Sequence, residues 1–263
     1  MKNYLVLKRD LTAVTSVPRL FFSRSGLVSR MTQLSFGVLT RFCLAIRLQG
    51  IAELLREYRS EQVESHRRSC QQLFEAAVVS SDFSLFLDFG AHTGEQVTQA
   101  CQFMDVIAFE PDPRAFSRLT KCVDNLPLGH KTPKLRQCAV STRNGVARLA
   151  YSDVSPEKTG GSTLASTKSE FSGENGTECE TVDVLDIVKS LTSPESTILK
   201  MDIEGEEYQV LKRMMKHPHF RKLGLIFVEF HERKMRGGMF LGLLLTLRLW
   251  KSGLTRSRVI EWY

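Results

Sequence analysis

From residue 83 to the end of the chain, short apolar runs of strand length alternate with stretches of helical period, a rhythm that few folds can satisfy. The pattern predicts strands at 83–89, 105–110 and 134–140 separated by helices at 95–103 and 113–124. It resumes with a helix at 185–191, a strand at 196–203, a helix at 205–216, a strand at 223–230, a helix at 239–251 and a last strand at 257–262. Such alternation implies right-handed crossovers and a mostly parallel sheet with helices on both faces. Between its halves, 145–151 and 178–184 read as short strands flanking a Ser/Gly/Thr/Glu-rich stretch, 152–177. That stretch is longer than ordinary connections and reads as a lid or acceptor-binding loop.

The first strand runs into a glycine turn, "LFLDFGAHTGEQV" (Leu85 to Val97), which places Asp88 at the strand end and Gly90 and Gly94 around His92. A dinucleotide fingerprint needs a third glycine where His92 stands, so the backbone could approach a pyrophosphate; its loss argues for a ligand without one. Glu110 ends the second strand, twenty residues after Gly90, where a carboxylate accepts hydrogen bonds from ribose hydroxyls and repels a 2′-phosphate. S-adenosylmethionine fits these terms. Its ribose meets Glu110, and Asp88 serves its amino group directly or through water.

A buried parallel strand should be continuously apolar, yet in "LKMDIEGEEY" Lys200, Asp202 and Glu204 recur at every second residue, putting three charges on one strand face. The next strand ends in Glu229 and His231 at the same spacing. Ligands of open α/β sheets bind outside the carboxyl ends of the strands, so these residues are expected at the reaction centre. A hydroxyl acceptor needs a base: His231 has the most suitable intrinsic pKa, Asp202 is the carboxylate alternative, and Lys200 or Glu204 would position the acceptor. Glu206 and Glu207 read as acids suited to a helix N-terminus. Two carboxylates and a histidine could also hold a divalent metal, although no ligand spacing requires it.

DFGAHTG, AFEPDP, LKMDIEGEEYQVL and IFVEFH together resemble the successive motifs of the FkbM family of S-adenosylmethionine-dependent methyltransferases, over roughly residues 83–262. The resemblance implies a Rossmann-like methyltransferase fold and O-methylation of hydroxyls on sugars or polyketide-type products. Carried over by position, cofactor binding falls on Asp88, Gly90, Gly94 and Glu110, with Ala139 near the adenine. His92 stands where the family commonly has Asn. The chain also ends soon after strand 257–262, leaving the antiparallel hairpin usual at that sheet edge open to question.

The remaining inferences come from charge and composition. The net charge of +7 is concentrated in residues 1–50, which hold eight Lys/Arg against Asp10 alone. Residues 1–80 therefore read as a basic, helical N-terminal extension before a methyltransferase domain at 81–263, with one or two amphipathic helices at 51–79 lying on the sheet as a lid. The basic arm fits a solvated extension, a transit peptide, or contact with a membrane surface or acidic partner. The six cysteines form no C-x-x-C pair and read as reduced thiols, which favours a cytoplasmic location, with organelle targeting as the alternative. No Pro-Cys pair or Asn/Asp-Pro-Pro-aromatic run marks base methylation, so a small molecule or glycan is the expected acceptor rather than nucleic acid. The rival reading is a non-catalytic binding protein on the same fold, tethered to RNA or acidic membrane by its arm.

Overall fold

The computed structural model describes residues 49–151, 162–164, 175–231 and 259–262. Most of the N-terminal arm, most of the 152–177 stretch and the expected helix at 239–251 lie outside these residues.

One continuous helix, α1 (Gln49–Val79), leads into the sheet. Then follow β1 (Leu85–Phe89), α2 (Glu95–Ala100), β2 (Asp105–Phe109), α3 (Pro113–Asp124) and β3 (Lys134–Arg136). Next come β4 (Ala139–Ser141), β5 (Gly145–Ala150), β6 (Gly176–Asp183), α4 (Val184–Lys189) and β7 (Thr197–Met201). The described residues close with α5 (Glu207–Met214), β8 (Leu225–Glu229) and β9 (Val259–Trp262). The main sheet has the order β3-β2-β1-β7-β8-β9, with every neighbouring pair parallel. The order reverses between β1 and β7, where a doubly wound sheet opens a crevice for ligand.

Side chains alternate across the strands, so each apolar run feeds two cores. On one face Phe86, Val106, Ala108, Ile198 and Phe227 pack with Val97 of α2, Leu119 of α3 and the end of α1. On the other, Leu87, Phe89, Leu199, Met201 and Val228 pack with Val184 and Val188 of α4 and Val210, Leu211 and Met214 of α5. The apolar runs are continuous because both faces are covered.

The expected strand 134–140 is two strands. β3 joins the main sheet, and after Gln137 and Cys138 the chain enters β4, which pairs with β6 in a separate sheet of order β4-β6-β5. β5 and β6 form its antiparallel pair, from Gly145↔Thr181 to Ala150↔Gly176. Only three residues of each strand find partners before the chain changes sheets, a break that an apolar pattern does not reveal. At the far edge β9 pairs parallel with β8, so among the described residues the sheet ends in a parallel strand.

The C-terminal turns of α1 belong to the core. Cys70, Leu73, Phe74, Ala77 and Val78 are buried, and Phe74 meets Phe86, Phe227 and Trp262 edge-on at 5.3, 5.6 and 5.5 Å. Removing an aromatic ring from such a site costs about 3–5 kcal/mol, a large fraction of a domain's stability. A chain starting at Gln49 is therefore expected to unfold cooperatively on heating. One starting at residue 81 should show no cooperative transition, and equal melting of the two would refute this packing role.

Candidate active site

The site is built where β1, β2, β7 and β8 end. After Phe89 the backbone turns at Gly90, whose φ of 85° lies in the left-handed region. A Cβ there would stand 1.8 Å from the Asp202 carbonyl oxygen, so only glycine lets the loop after β1 cross the loop after β7. Gly94, φ 88°, caps α2 and faces Leu119, where a Cβ would meet Cδ1 at 2.4 Å. Its role is thus helix packing, and it does not line the adjacent cavity. His92 between them is also left-handed, φ 48°.

Glu110 locks this loop. Its Oε2 accepts the His92 amide at 2.8 Å and its Oε1 accepts the Asp112 amide at 2.8 Å. Each carboxylate oxygen retains a second acceptor position for a ligand. Burial pushes the Glu110 carboxyl up to about 7, against the two amides that favour the ionised form. Asp112 caps α3 by accepting the Arg114 amide, and it also takes the Ser162 hydroxyl at 2.9 Å. Thr163 donates its hydroxyl to the Glu204 carbonyl and pairs through its backbone with Ala150. The described part of the long Ser/Gly stretch, Ser162 to Leu164, is thereby tied across the site.

These elements enclose a cavity of about 140 Å³. Gly90, His92, Glu110 and Ala139, four of the six residues assigned to cofactor binding, line it together with Asp202 and Glu204. Phe109, Val140, Leu149 and Leu164 supply an apolar wall, and Ser162 and Glu206 complete the polar part. Sequence reasoning gave Glu206 only a helix-end role; it lines the cavity because Glu207, one residue on, starts α5.

Asp88 is placed differently from expectation. Fully buried on β1, it lies in register with Lys200 on β7, whose Nζ is 3.6 Å from Oδ1 and 3.7 Å from Asp202 Oδ2. At 3.6 Å the contact is an ion pair rather than a hydrogen bond, and neither Asp88 oxygen has a hydrogen-bond partner. Burial raises the Asp88 carboxyl to about 6, with Lys200 opposing. Burial would in turn lower the Lys200 ammonium, but Asp88 and Asp202 more than compensate and hold it above its ordinary range. Neither Asp88 nor Lys200 lines the cavity.

The charges after β7 also assemble in another way than strand alternation implied. β7 ends at Met201, and Glu204 adopts a left-handed φ of 55° in a turn before α5. The turn, not the pleat, carries Glu204 to His231, with Oε2 3.1 Å from Nε2. Glu229 Oε1 and Asp202 Oδ1 lie 3.7 and 3.8 Å from the same nitrogen. Glu207 is the residue that sequence reasoning missed. Wholly buried, it accepts the Ile203 and Gly205 amides at 3.0 and 2.8 Å and binds His231 Nδ1 at 3.0 Å. It therefore fixes both the left-handed turn and the imidazole.

His231 consequently differs from a free histidine. Burial alone would lower its pKa, but the hydrogen bonds to Glu204 and Glu207 raise it to about 10. This arrangement favours the imidazolium form, with each ring nitrogen facing a carboxylate. Burial and the neighbouring Asp202 hold Glu229 above the usual carboxylate range.

An open parallel sheet with a strand-end cavity, a glycine turn and a buried carboxylate after the second strand defines a Rossmann-like α/β fold. The sequence profile of the Methyltransferase FkbM domain matches residues 88–251, and the chain belongs to the FkbM methyltransferase family. Among curated proteins it is similar to the hexuronic acid methyltransferase AglP of Haloferax volcanii, at 29% identity over 144 residues. That match spans 55% of this chain and 54% of the relative, so the chain covers about half of the relative's length. Among solved structures it is similar to methyltransferase FkbM of Methylobacillus flagellatus KT, at 16% identity and a TM-score of 0.40, covering 64% of this chain and 36% of that one. An rRNA methylase of Streptococcus thermophilus matches at 10% identity and a TM-score of 0.33, covering 66% and 79% of the two chains.

Proposed function

We propose that this chain transfers a methyl group from S-adenosylmethionine to a hydroxyl oxygen of a glycan or small molecule. The observation that carries this reading is the single cavity in which Glu110, with an acceptor position left on each oxygen, shares a wall with Asp202 and Glu204. When bound, S-adenosylmethionine supplies a methyl carbon already made electrophilic by its sulfonium, so the protein has to orient an acceptor and manage one proton. Glu110 would hold the ribose hydroxyls, and Ala139, Val140 and Leu149 would face the adenine.

The buried Lys200 and the imidazolium of His231 stand 3.7 and 3.8 Å from Asp202, on the Oδ2 and Oδ1 sides respectively, and fix its carboxylate at the cavity wall. Of the two candidate bases, His231 and Asp202, Asp202 then takes the hydroxyl proton. His231, Glu204 and Glu229 position the acceptor, and Lys200 acts on it only through Asp202. A sugar acceptor agrees with the hexuronic acid named for the curated relative. The test is transfer of labelled methyl from S-adenosylmethionine to a panel of neutral sugars and uronic acids. Labelling of neither, with donor bound, would refute acceptor and reaction together.

Two further results are expected of the donor site. Glu110→Ala should weaken S-adenosylmethionine binding by about 1–3 kcal/mol, because the ribose loses a charged acceptor and the loop loses both anchors. An unchanged dissociation constant would remove Glu110 from the site. The second concerns pH: the free carboxyl, raised to about 7, is increasingly protonated below that pH, whereas a bound ribose favours the ionised form. Donor affinity should therefore fall by up to about tenfold per pH unit as pH drops below about 7, and be level above it. Calorimetry at several pH values checks the sign, and affinity that rises on acidification would contradict it.

A further inference from the structure

The geometry points to a divalent cation site at His231, formed by its Nε2 with the carboxylates of Asp202, Glu204 and Glu229. Two donors on one octahedral ion with bonds of about 2.1 Å lie roughly 3.0 Å apart when adjacent and roughly 4.2 Å apart when opposite. Glu204 Oε2, 3.1 Å from Nε2, already stands at the adjacent spacing, and the Glu229 and Asp202 oxygens, at 3.7 and 3.8 Å, would close to it by a side-chain shift of under ~1 Å. Ligand atoms of Asp202, Glu207 and His231 also fall within 4.8 Å of one another.

Glu207 is the outer partner rather than a ligand. Its oxygens are committed to two amides and to Nδ1, the carboxylate-to-histidine arrangement that orients a metal-binding imidazole; the ion would take Nε2 by displacing its proton to solvent. Behind the cluster, Asp88 is fully buried with both oxygens unbonded, and it competes with Asp202 for the one Lys200 ammonium. Five carboxylates thus gather around Lys200 and His231, Asp88 and Glu207 buried and the other three half-buried, an excess of acidic groups that a cation would offset. One imidazole with several carboxylates suits an ion of the manganese or magnesium type.

Asp202 and Glu204 line the cavity, so an ion between them would be open to an acceptor. Its use rests on the hydroxyl-transfer reading: a bound hydroxyl becomes more acidic, which lightens the demand on Asp202. Binding itself needs neither donor nor acceptor, so it is tested separately.

The experiment titrates the full chain with Mn²⁺, followed by electron paramagnetic resonance and by nitrogen modulation of the electron spin echo. One ion per chain with coupling to an imidazole nitrogen is expected. Affinity should drop at least about tenfold in His231→Ala and Glu204→Gln, while Glu75→Gln on the exposed side of α1 should bind as wild type. Glu229→Gln, at the more open edge, serves as a milder variant should the buried ones fail to fold. Absence of binding at millimolar Mn²⁺, binding without nitrogen coupling, or equal binding by every variant would overturn the site. Because no methyl donor is present, such a failure leaves the methyltransferase reading to its own tests.

Discussion

Asp202→Asn is expected to lower methyl transfer by about two to four orders of magnitude while leaving donor affinity within a few-fold of wild type, the usual contribution of a positioned proton acceptor. The split follows from two different parts of one residue. The Asp202 main chain supports the donor loop, with its amide bonded to the Phe89 carbonyl at 2.9 Å and its carbonyl against Gly90, and an Asn keeps both. The carboxylate faces Lys200, His231 and the cavity, and it alone is altered. Single-turnover rates and calorimetric affinities on the same preparations separate these effects. Turnover within a few-fold of wild type would show that the carboxylate is structural and that proton removal belongs elsewhere.

Gly90→Ala should cost about 3 kcal/mol or more of folding stability and abolish measurable donor binding. A left-handed backbone costs a residue with a Cβ about 1–2 kcal/mol. The overlap with the Asp202 carbonyl adds more, because the atom encountered is main chain at the junction of β1 and β7 and cannot rotate away. Gly129→Ala provides the internal control: its φ of 93° is just as left-handed, but no atom lies within 4 Å of the added Cβ. Urea unfolding of the two variants should differ by the overlap alone. Equal destabilisation would show that the close crossing of the two loops does not constrain the site.

Much of this site was legible because it depends on short-range chemistry. A strand, a glycine turn and an acid at the end of the following strand fix where Gly90 and Glu110 must lie, since strand length and crossover handedness leave little freedom. Ala139 came from the family resemblance alone, since the strand reading around it was wrong. Other features depended on where strands stop. Lys200, Asp202 and Glu204 alternate in sequence, but β7 ends at Met201 and the left-handed turn at Glu204 completes the cluster, which strand periodicity cannot express.

The split of 134–140 into β3 and β4 was hidden likewise, because an apolar run does not say which sheet receives it. Glu207 carried a signal that was read too simply. An acid in the first turn of a helix suits the dipole wherever it points, and only the fold aims this one inward, at two amides and His231. The same contacts weigh on the choice between the two candidate bases, His231 and Asp202. The intrinsic pKa of His231 marks a base, while its surroundings favour the cation.

The most direct measurement is a calorimetric titration of the full chain with S-adenosylmethionine, repeated with Glu110→Ala and with NAD as competitor. One S-adenosylmethionine per chain, weakened by about 1–3 kcal/mol in the variant and undisturbed by NAD, is the result the account predicts. Tight binding of NAD with no binding of S-adenosylmethionine would contradict it.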